Sequence, residues 1–364
     1  MESIIIQASD LDGSNGFIIS GVNTDDQAGF SVSAAGDFNG DGIGDLIIGA
    51  PAANAQNSPG KSYVVFGQST GFNASLDLAT LDGRNGFVLN GAEAGDYSGF
   101  AVSGAGDING DGFDDVIIGS SGPYFDVPDA KTHVVFGQSE PFSANFDLSN
   151  LDGSNGFLFN GSAVANFPGG SVRGAGDVNG DGLEDLIIGA SGANDDVGES
   201  YVIFGQTEAF SASFGVSDLN GSNGFVINGI TTRGNFGWSV SGVGDVNGDG
   251  FDDLIIGAIS GGRGGRGRSH VVFGQAEEFA PTLSITSLNG TNGFVVTNGG
   301  SFSVSSAGDI NNDGLDDFVV GARDDGEDGR SYVVFGDTEI GASGSLSLTS
   351  LSGSNGFAIN GSNT

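Results

Sequence analysis

The sequence predicts an all-β protein, a β-propeller of five four-stranded antiparallel blades with one spare N-terminal strand. Three observations predict it. An acidic segment, Gly-Asp-x-Asn-x-Asp-Gly, recurs with its first Asp at Asp37, Asp107, Asp177, Asp245 and Asp309, in steps of 70, 70, 68 and 64 residues. Short runs rich in Val, Ile and Phe, bounded by Gly, Asn and Asp, flank every copy, which is a strand signal. No segment carries a long amphipathic helical pattern. A unit of 62 to 70 residues holds four strands with their loops, and four-stranded units in series are blades of a propeller. A β-solenoid is the competing architecture, but its coils have shorter periods.

Each element can be read in turn from the second unit. Phe100 to Ser103 alternates and leads into the acidic segment as strand A. Asp115-Val-Ile-Ile-Gly119 is a continuous β-branched run, strand B, and His133-Val-Val-Phe136 is strand C. Phe87-Val-Leu-Asn90 and its equivalents are strand D. The near-continuous apolar B and C strands fit sheets buried on both faces. Segments such as Ser75 to Leu81 read either as a turn of helix or as a short extra strand. Strands A, B and C occur five times. The Asn-Gly-Phe of strand D occurs six times, at Phe17, Phe87, Phe157, Phe225, Phe294 and Phe357. Phe17 and Phe357 therefore compete for the place beside the last strand C. A strand from one terminus that completes the last blade would remove open edges. Residues 1–28 are then a D-type strand and link, followed by blades of about 29–97, 98–167, 168–235, 236–299 and 300–364. The other arrangement is a longer array from which these units are cut.

Composition narrows the function. The 364 residues carry 46 Asp and Glu against 10 Lys and Arg, a formal net charge of -36. Phosphate-directed nucleic-acid binding needs basic patches, so it is excluded. With no Cys there is no disulfide framework, thiolate metal site or cysteine nucleophile. Twenty-eight Phe supply a core that a disordered polyanion lacks. No apolar run is long enough to span a membrane, and Met1-Glu2-Ser3 does not open a signal peptide.

The acidic segments carry the chemistry. In order they place oxygen side chains at Asp37, Asn39, Asp41 and Asp45, at Asp107, Asn109, Asp111 and Asp115, and at Asp177, Asn179, Asp181 and Asp185. The last two use Asp245, Asn247, Asp249 and Asp253, then Asp309, Asn311, Asp313 and Asp317. These are positions 1, 3, 5 and 9, and position 6 is always Gly. Position 7 is apolar, Ile43, Phe113, Leu183, Phe251 or Leu315, and can offer only its backbone carbonyl. Asp-Asn-Gly clusters also make turns, but a turn needs no fixed oxygen spacing. Six to eight oxygens around a flexible loop suit Ca²⁺, one ion per A–B loop and about five in all. The loops are not EF-hands. Position 12 holds Ile48, Ile118, Ile188, Ile256 or Val320 where a bidentate Glu would stand, so Asp at position 9 must close the site.

The stretch from Val32-Ser-Ala-Ala-Gly-Asp37 through Leu46-Ile-Ile-Gly49-Ala50-Pro51 resembles an FG-GAP repeat. Such repeats build the head of integrin α-subunits and occur in bacterial surface or secreted proteins. The resemblance implies a calcium-binding β-propeller with the metal loop between strands A and B, and it spans essentially the whole chain. The departures are specific. Phe-Gly before strand A survives only as Phe236-Gly237, and Gly-Ala-Pro is complete only at residues 49–51. Integrin propellers usually have seven blades.

No catalytic constellation stands out, and the chain reads as a non-enzyme. His133 and His270 occupy the strand C slot that holds Tyr63, Tyr201 and Tyr332 elsewhere, which marks a packing position. Partner recognition is expected on the B–C loops and D–A links, because the B–C loops vary while the acidic loops do not. Tyr124 and Phe125 lie in one such loop, and Arg263, Arg266 and Arg268 in another, residues 258–269. The reading is a calcium-stabilised extracellular or cell-surface binding and adhesion module, taking a protein or glycan ligand. The runner-up is a structural protein whose copies assemble through the spare strand into a surface layer or filament. A hydrolase-associated propeller ranks third.

Overall fold

Alternating apolar residues with β-branched neighbours drive each repeat into an antiparallel sheet, and the acidic turn reverses the chain between its first two strands. A computed structural model describes residues 7–52, 58–120, 131–139, 141–161, 168–259, 267–299, 302–323, 325–326 and 328–361. Five sheets follow in chain order. Blade 1 comprises strands A to D at Ser31–Gly36, Asp45–Ala50, Lys61–Val65 and Gly86–Asn90. Blade 2 uses Ser98–Gly106, Asp115–Ser120, Lys131–Val135 and Gly156–Asn160. Blade 3 uses Pro168–Gly176, Asp185–Ala190, Glu199–Ile203 and Gly224–Asn228. Blade 4 uses Phe236–Gly244, Asp253–Ala258, Arg268–Val272 and Gly293–Thr297. Blade 5 uses Ser303–Gly308, Asp317–Ala322, Arg330–Val334 and Gly356–Asn360. The strand A of each blade packs on the strand A of the next. No helix among the described residues is long and apolar enough to cross a membrane.

One expectation needs correction. The blades are not purely four-stranded. A three-residue edge strand from the following unit joins the D strand of blades 1 to 4 in parallel, as in Asn145–Asp147 on Val88 to Asn90. The ambiguous Ser75 to Leu81 segment is both things that its sequence allowed: the edge strand Ser75–Asp77, then a 3₁₀ turn, Leu78–Thr80, with Leu78 buried. Asp77 caps that turn by accepting from the Ala79 amide at 2.9 Å. The spare D-type strand lies at the N-terminus, as expected. Phe357 lies in the strand that pairs with Arg330–Val334. The N-terminal strand Ile18–Ser20 pairs instead with Ser75–Asp77, in parallel. It stands where the D strand of a preceding blade would stand. Phe17 stacks on Phe72 at 4.1 Å, just as Phe87 stacks on Phe142 at 4.8 Å and Phe225 on Phe279 at 4.3 Å.

Exposure shows what covers each sheet. Val32 in strand A of blade 1 is 63% exposed, while its equivalents Val102, Val172, Val240 and Val304 are all buried. At the other end Ile359 is 53% exposed, whereas Leu89, Phe159, Ile227 and Val296 are buried. One face of blade 1 and one face of blade 5 thus present the side chains that every internal junction covers.

Candidate metal loops and the opposite face

The A–B loops are built by backbone amides turned inward onto their own acids. In blade 1, Asp37 accepts from the amides of Asp41 at 2.9 Å and Gly42 at 2.8 Å. Asn39 Oδ1 accepts from the Asp41 amide, and Asp41 Oδ1 from that of Ile43, both at 2.9 Å. The same pattern recurs around Asp107, Asp177, Asp245 and Asp309. Gly at position 6 takes a left-handed conformation, with φ between 81° and 92° in all five loops. Position 4 is left-handed too, and Asn312, at φ 61°, replaces Gly there as Asn can.

Position 9 is the buried end of the site. Asp45, Asp115, Asp185, Asp253 and Asp317 are at most 1% exposed. Each opens strand B and accepts two amides. Asp115 Oδ2 binds the Ile108 amide at 3.1 Å, and its Oδ1 binds that of Gly137 at 2.8 Å, next to strand C. Burial pushes Asp115, Asp185 and Asp253 up to about 8 and Asp45 up to about 6. The two amides oppose this shift, and the negative charges at positions 5 and 1 add to it. Asp317 moves in the same direction for the same first cause.

The structure therefore brings positions 1, 3 and 5 together and sets position 9 behind them. Among the described residues no three Asp, Glu or His side chains converge on one point. Their oxygens are engaged by amides instead. The donor set nevertheless fits a hard cation. Three carboxylates and one amide oxygen recur per loop, one carboxylate is buried, and the ion pairs among the described residues lie at the other end of the blades. These are Lys131 with Glu93 and Asp96, and Arg330 with Asp325.

One set of functional side chains is not evident from sequence spacing alone. The acid at position 8 reaches back to the preceding blade. Asp114, Asp252 and Asp316 accept from the amides of Asp37, Asp177 and Asp245 at 2.6, 2.7 and 3.2 Å. A second stitch runs beside it. The amides of Gln138, Gln206, Gln275 and Asp337 donate to the carbonyls of Phe38, Ile108, Val178 and Val246 in the preceding loop. Glu184 holds position 8 in the third loop, and Gly44 holds it in blade 1, the first of the five described blades. The signal was present as an acid in four of the five copies.

His133 and His270 are buried, and burial pushes them down to about 3 and about 4, so both are neutral. Of the expected partner residues, Tyr124, Phe125, Arg263 and Arg266 lie outside the described residues. Arg268 is exposed at the start of strand C in blade 4.

The FG-GAP repeat family matches residues 28–65, 98–135, 169–203, 236–272 and 302–334, one segment per blade. The chain is similar to integrin alpha pat-2 of Caenorhabditis elegans, with 31% identity over 243 residues, 64% of this chain and 18% of that one. It is similar to integrin alpha-V of Gallus gallus, at 30% over 245 residues, 65% of this chain and 20% of the relative. Integrin alpha-5 of Xenopus laevis is 29% identical over 265 residues, 70% of this chain and 22% of the relative. The chain thus spans about a fifth of the length of these curated relatives. Five matched repeats, one per blade, make it an integrin-α-like FG-GAP repeat protein.

Proposed function

We propose that the protein is a calcium-stabilised binding and adhesion module of the extracellular or cell-surface environment. The A–B loops hold one Ca²⁺ each, and a protein or glycan partner is recognised on the opposite face. The observation that carries this reading is the fivefold recurrence of a buried position 9 carboxylate behind positions 1, 3 and 5, with no basic side chain paired to it among the described residues. Asp, Asn and Asp at positions 1, 3 and 5 supply side-chain oxygens, position 7 a carbonyl, and Asp at position 9 the closing carboxylate. Oxygen-only donors of this kind suit Ca²⁺. Bound calcium would neutralise charges that otherwise repel inside each loop. The fold then presents its varied B–C loops on rigid blades, and no step of covalent chemistry is involved. Immobilised protein that captures cells or matrix components with Ca²⁺ and releases them in chelator supports the reading. Capture that is indifferent to calcium argues against it.

A second reading is self-assembly. The exposed faces of blades 1 and 5 favour it more than the spare strand does, because Ile18–Ser20 already has one partner strand. Light scattering at several concentrations separates the two: a monomer throughout removes self-assembly.

A further inference from the structure

The blades provide their own comparison at the end opposite the acidic loops. There the first residue of strand C, the residue two places on, or both meet a carboxylate in blades 2, 3 and 5. In blade 5, Arg330 lies 3.4 Å from the Asp325 carboxylate, and the Tyr332 hydroxyl donates to that same carboxylate. In blade 2, Lys131 holds Glu93 at 2.9 Å and Asp96 at 3.4 Å, both from the link before strand A. In blade 3 the carboxylate is Glu199 itself, and Tyr201 donates to it at 3.0 Å.

Blade 4 keeps the cation and loses the acid. Arg268 and His270 fill the two positions. The links superpose by their hydrogen bonds, since Gly234 donates to the Thr231 carbonyl as Asp96 donates to that of Glu93. Thr231 and Gly234 therefore replace Glu93 and Asp96. Among the described residues no carboxylate pairs with Arg268. His270 Nδ1 is buried without a hydrogen-bond partner, as is His133 Nδ1 in blade 2. A cavity of about 270 Å³ opens there, lined by Arg268, His270, Thr231, Val197, Ile230 and Ile285 among others. Ile230, on its rim, is 57% exposed.

We propose that this cavity is a carboxylate-binding site, which takes an acidic side chain of a peptide flanked by apolar residues. Arg268 pairs with the carboxylate as Arg330 pairs with Asp325, His270 lies beside it in the place of Tyr332, and the apolar wall receives the neighbouring side chain. Arg suits a carboxylate because its planar fork matches the two oxygens. The proposal deepens the reading as a binding module by naming the ligand chemistry. It stands apart from calcium, since the site lies at the other end of the blade.

Calorimetric titration in about 0.15 M salt, where charges beyond about 8 Å are screened, tests it with acetyl-Leu-Asp-Leu-amide, its Asn analogue and succinate. The Asp peptide is expected to bind at least tenfold more tightly than the Asn peptide. Arg268→Gln should abolish that preference. Thr231→Glu, an exposed change that returns an internal acid and leaves Arg268 in place, should abolish it too. Succinate binding as tightly as the Asp peptide assigns the site to free small acids and upholds the carboxylate chemistry. Equal affinity for the Asp and Asn peptides, no binding of any probe, or full affinity in Thr231→Glu overturns the proposal. Calcium-dependent capture by the whole protein remains a separate measurement, so failure of one does not decide the other.

Discussion

The Asp114 carboxylate accepts a hydrogen bond of 2.6 Å from the backbone amide of Asp37, the first residue of the preceding metal loop. A hydrogen bond to a charged acceptor contributes about 1.5 kcal/mol or more. Asp114→Ala should therefore lower stability by about 1.5 kcal/mol, and Asp114→Asn, which keeps an acceptor oxygen, by less. Gly44→Asp places a carboxylate where the described residues hold no preceding loop and should stay within about 0.5 kcal/mol of the parent, as surface changes do. Denaturant midpoints at constant slope measure all three. Equal stability of Asp114→Ala and the parent would remove the stitch between blades.

The buried acids set a pH dependence for the calcium-free protein. The folded state holds Asp115, Asp185 and Asp253 at about 8 and Asp45 at about 6, above the unfolded value of 3.8. Between those values the folded chain binds more protons than the unfolded one, so stability falls as pH rises. Melting in chelator should show a declining temperature from pH 6.5 to 8.5, and excess calcium should flatten the decline. Asp115→Asn should raise the melting temperature at pH 8 in chelator and lower it in calcium. A change of the same sign in both would count against a metal role for Asp115.

The imidazoles act in the opposite sense. His133 and His270 are held down to about 3 and about 4, so below pH 6.5 the unfolded chain binds the extra protons and stability falls with pH. His133→Tyr, the residue that other blades use in this slot, should reduce that acid-side loss. A profile between pH 4 and 6.5 identical to the parent's would contradict neutral burial.

The end faces give a packing test. Val102→Ala removes buried methyl groups between blades 1 and 2 and should cost about 1.5 kcal/mol or more. Val32→Ala, at 63% exposure, should change stability by no more than about 0.5 kcal/mol in dilute protein. A Val32→Ala cost close to that of Val102→Ala would mean that another surface covers blade 1 in solution.

The repeat made much of this legible. Asp at positions 1, 5 and 9 with Gly at 6 located every loop, and the Val-Ile-Ile and Val-Val-Phe runs located strands B and C. Periodicity did not reveal the parallel edge strands, because Ser75–Asp77 is too short to carry a pattern and is held by a neighbour 57 residues away in sequence. It gave Phe17 and Phe357 equal claim to one slot, since identical motifs carry no information on which neighbour each meets. The role of Asp114 was hidden for the same reason: its partner Asp37 lies 77 residues away. The exchange of Glu93 and Asp96 for Thr231 and Gly234 acquires meaning only once the links are seen against strand C.

Thermal unfolding across a calcium titration tests whether the five A–B loops hold the fold together through bound metal. At tenfold its dissociation constant each ion adds about 1.4 kcal/mol, so five loops together rival the 5–15 kcal/mol that stabilises a typical domain. The melting temperature is expected to rise with calcium and to drop steeply in chelator. A melting curve that is the same in chelator and in excess calcium would contradict that expectation.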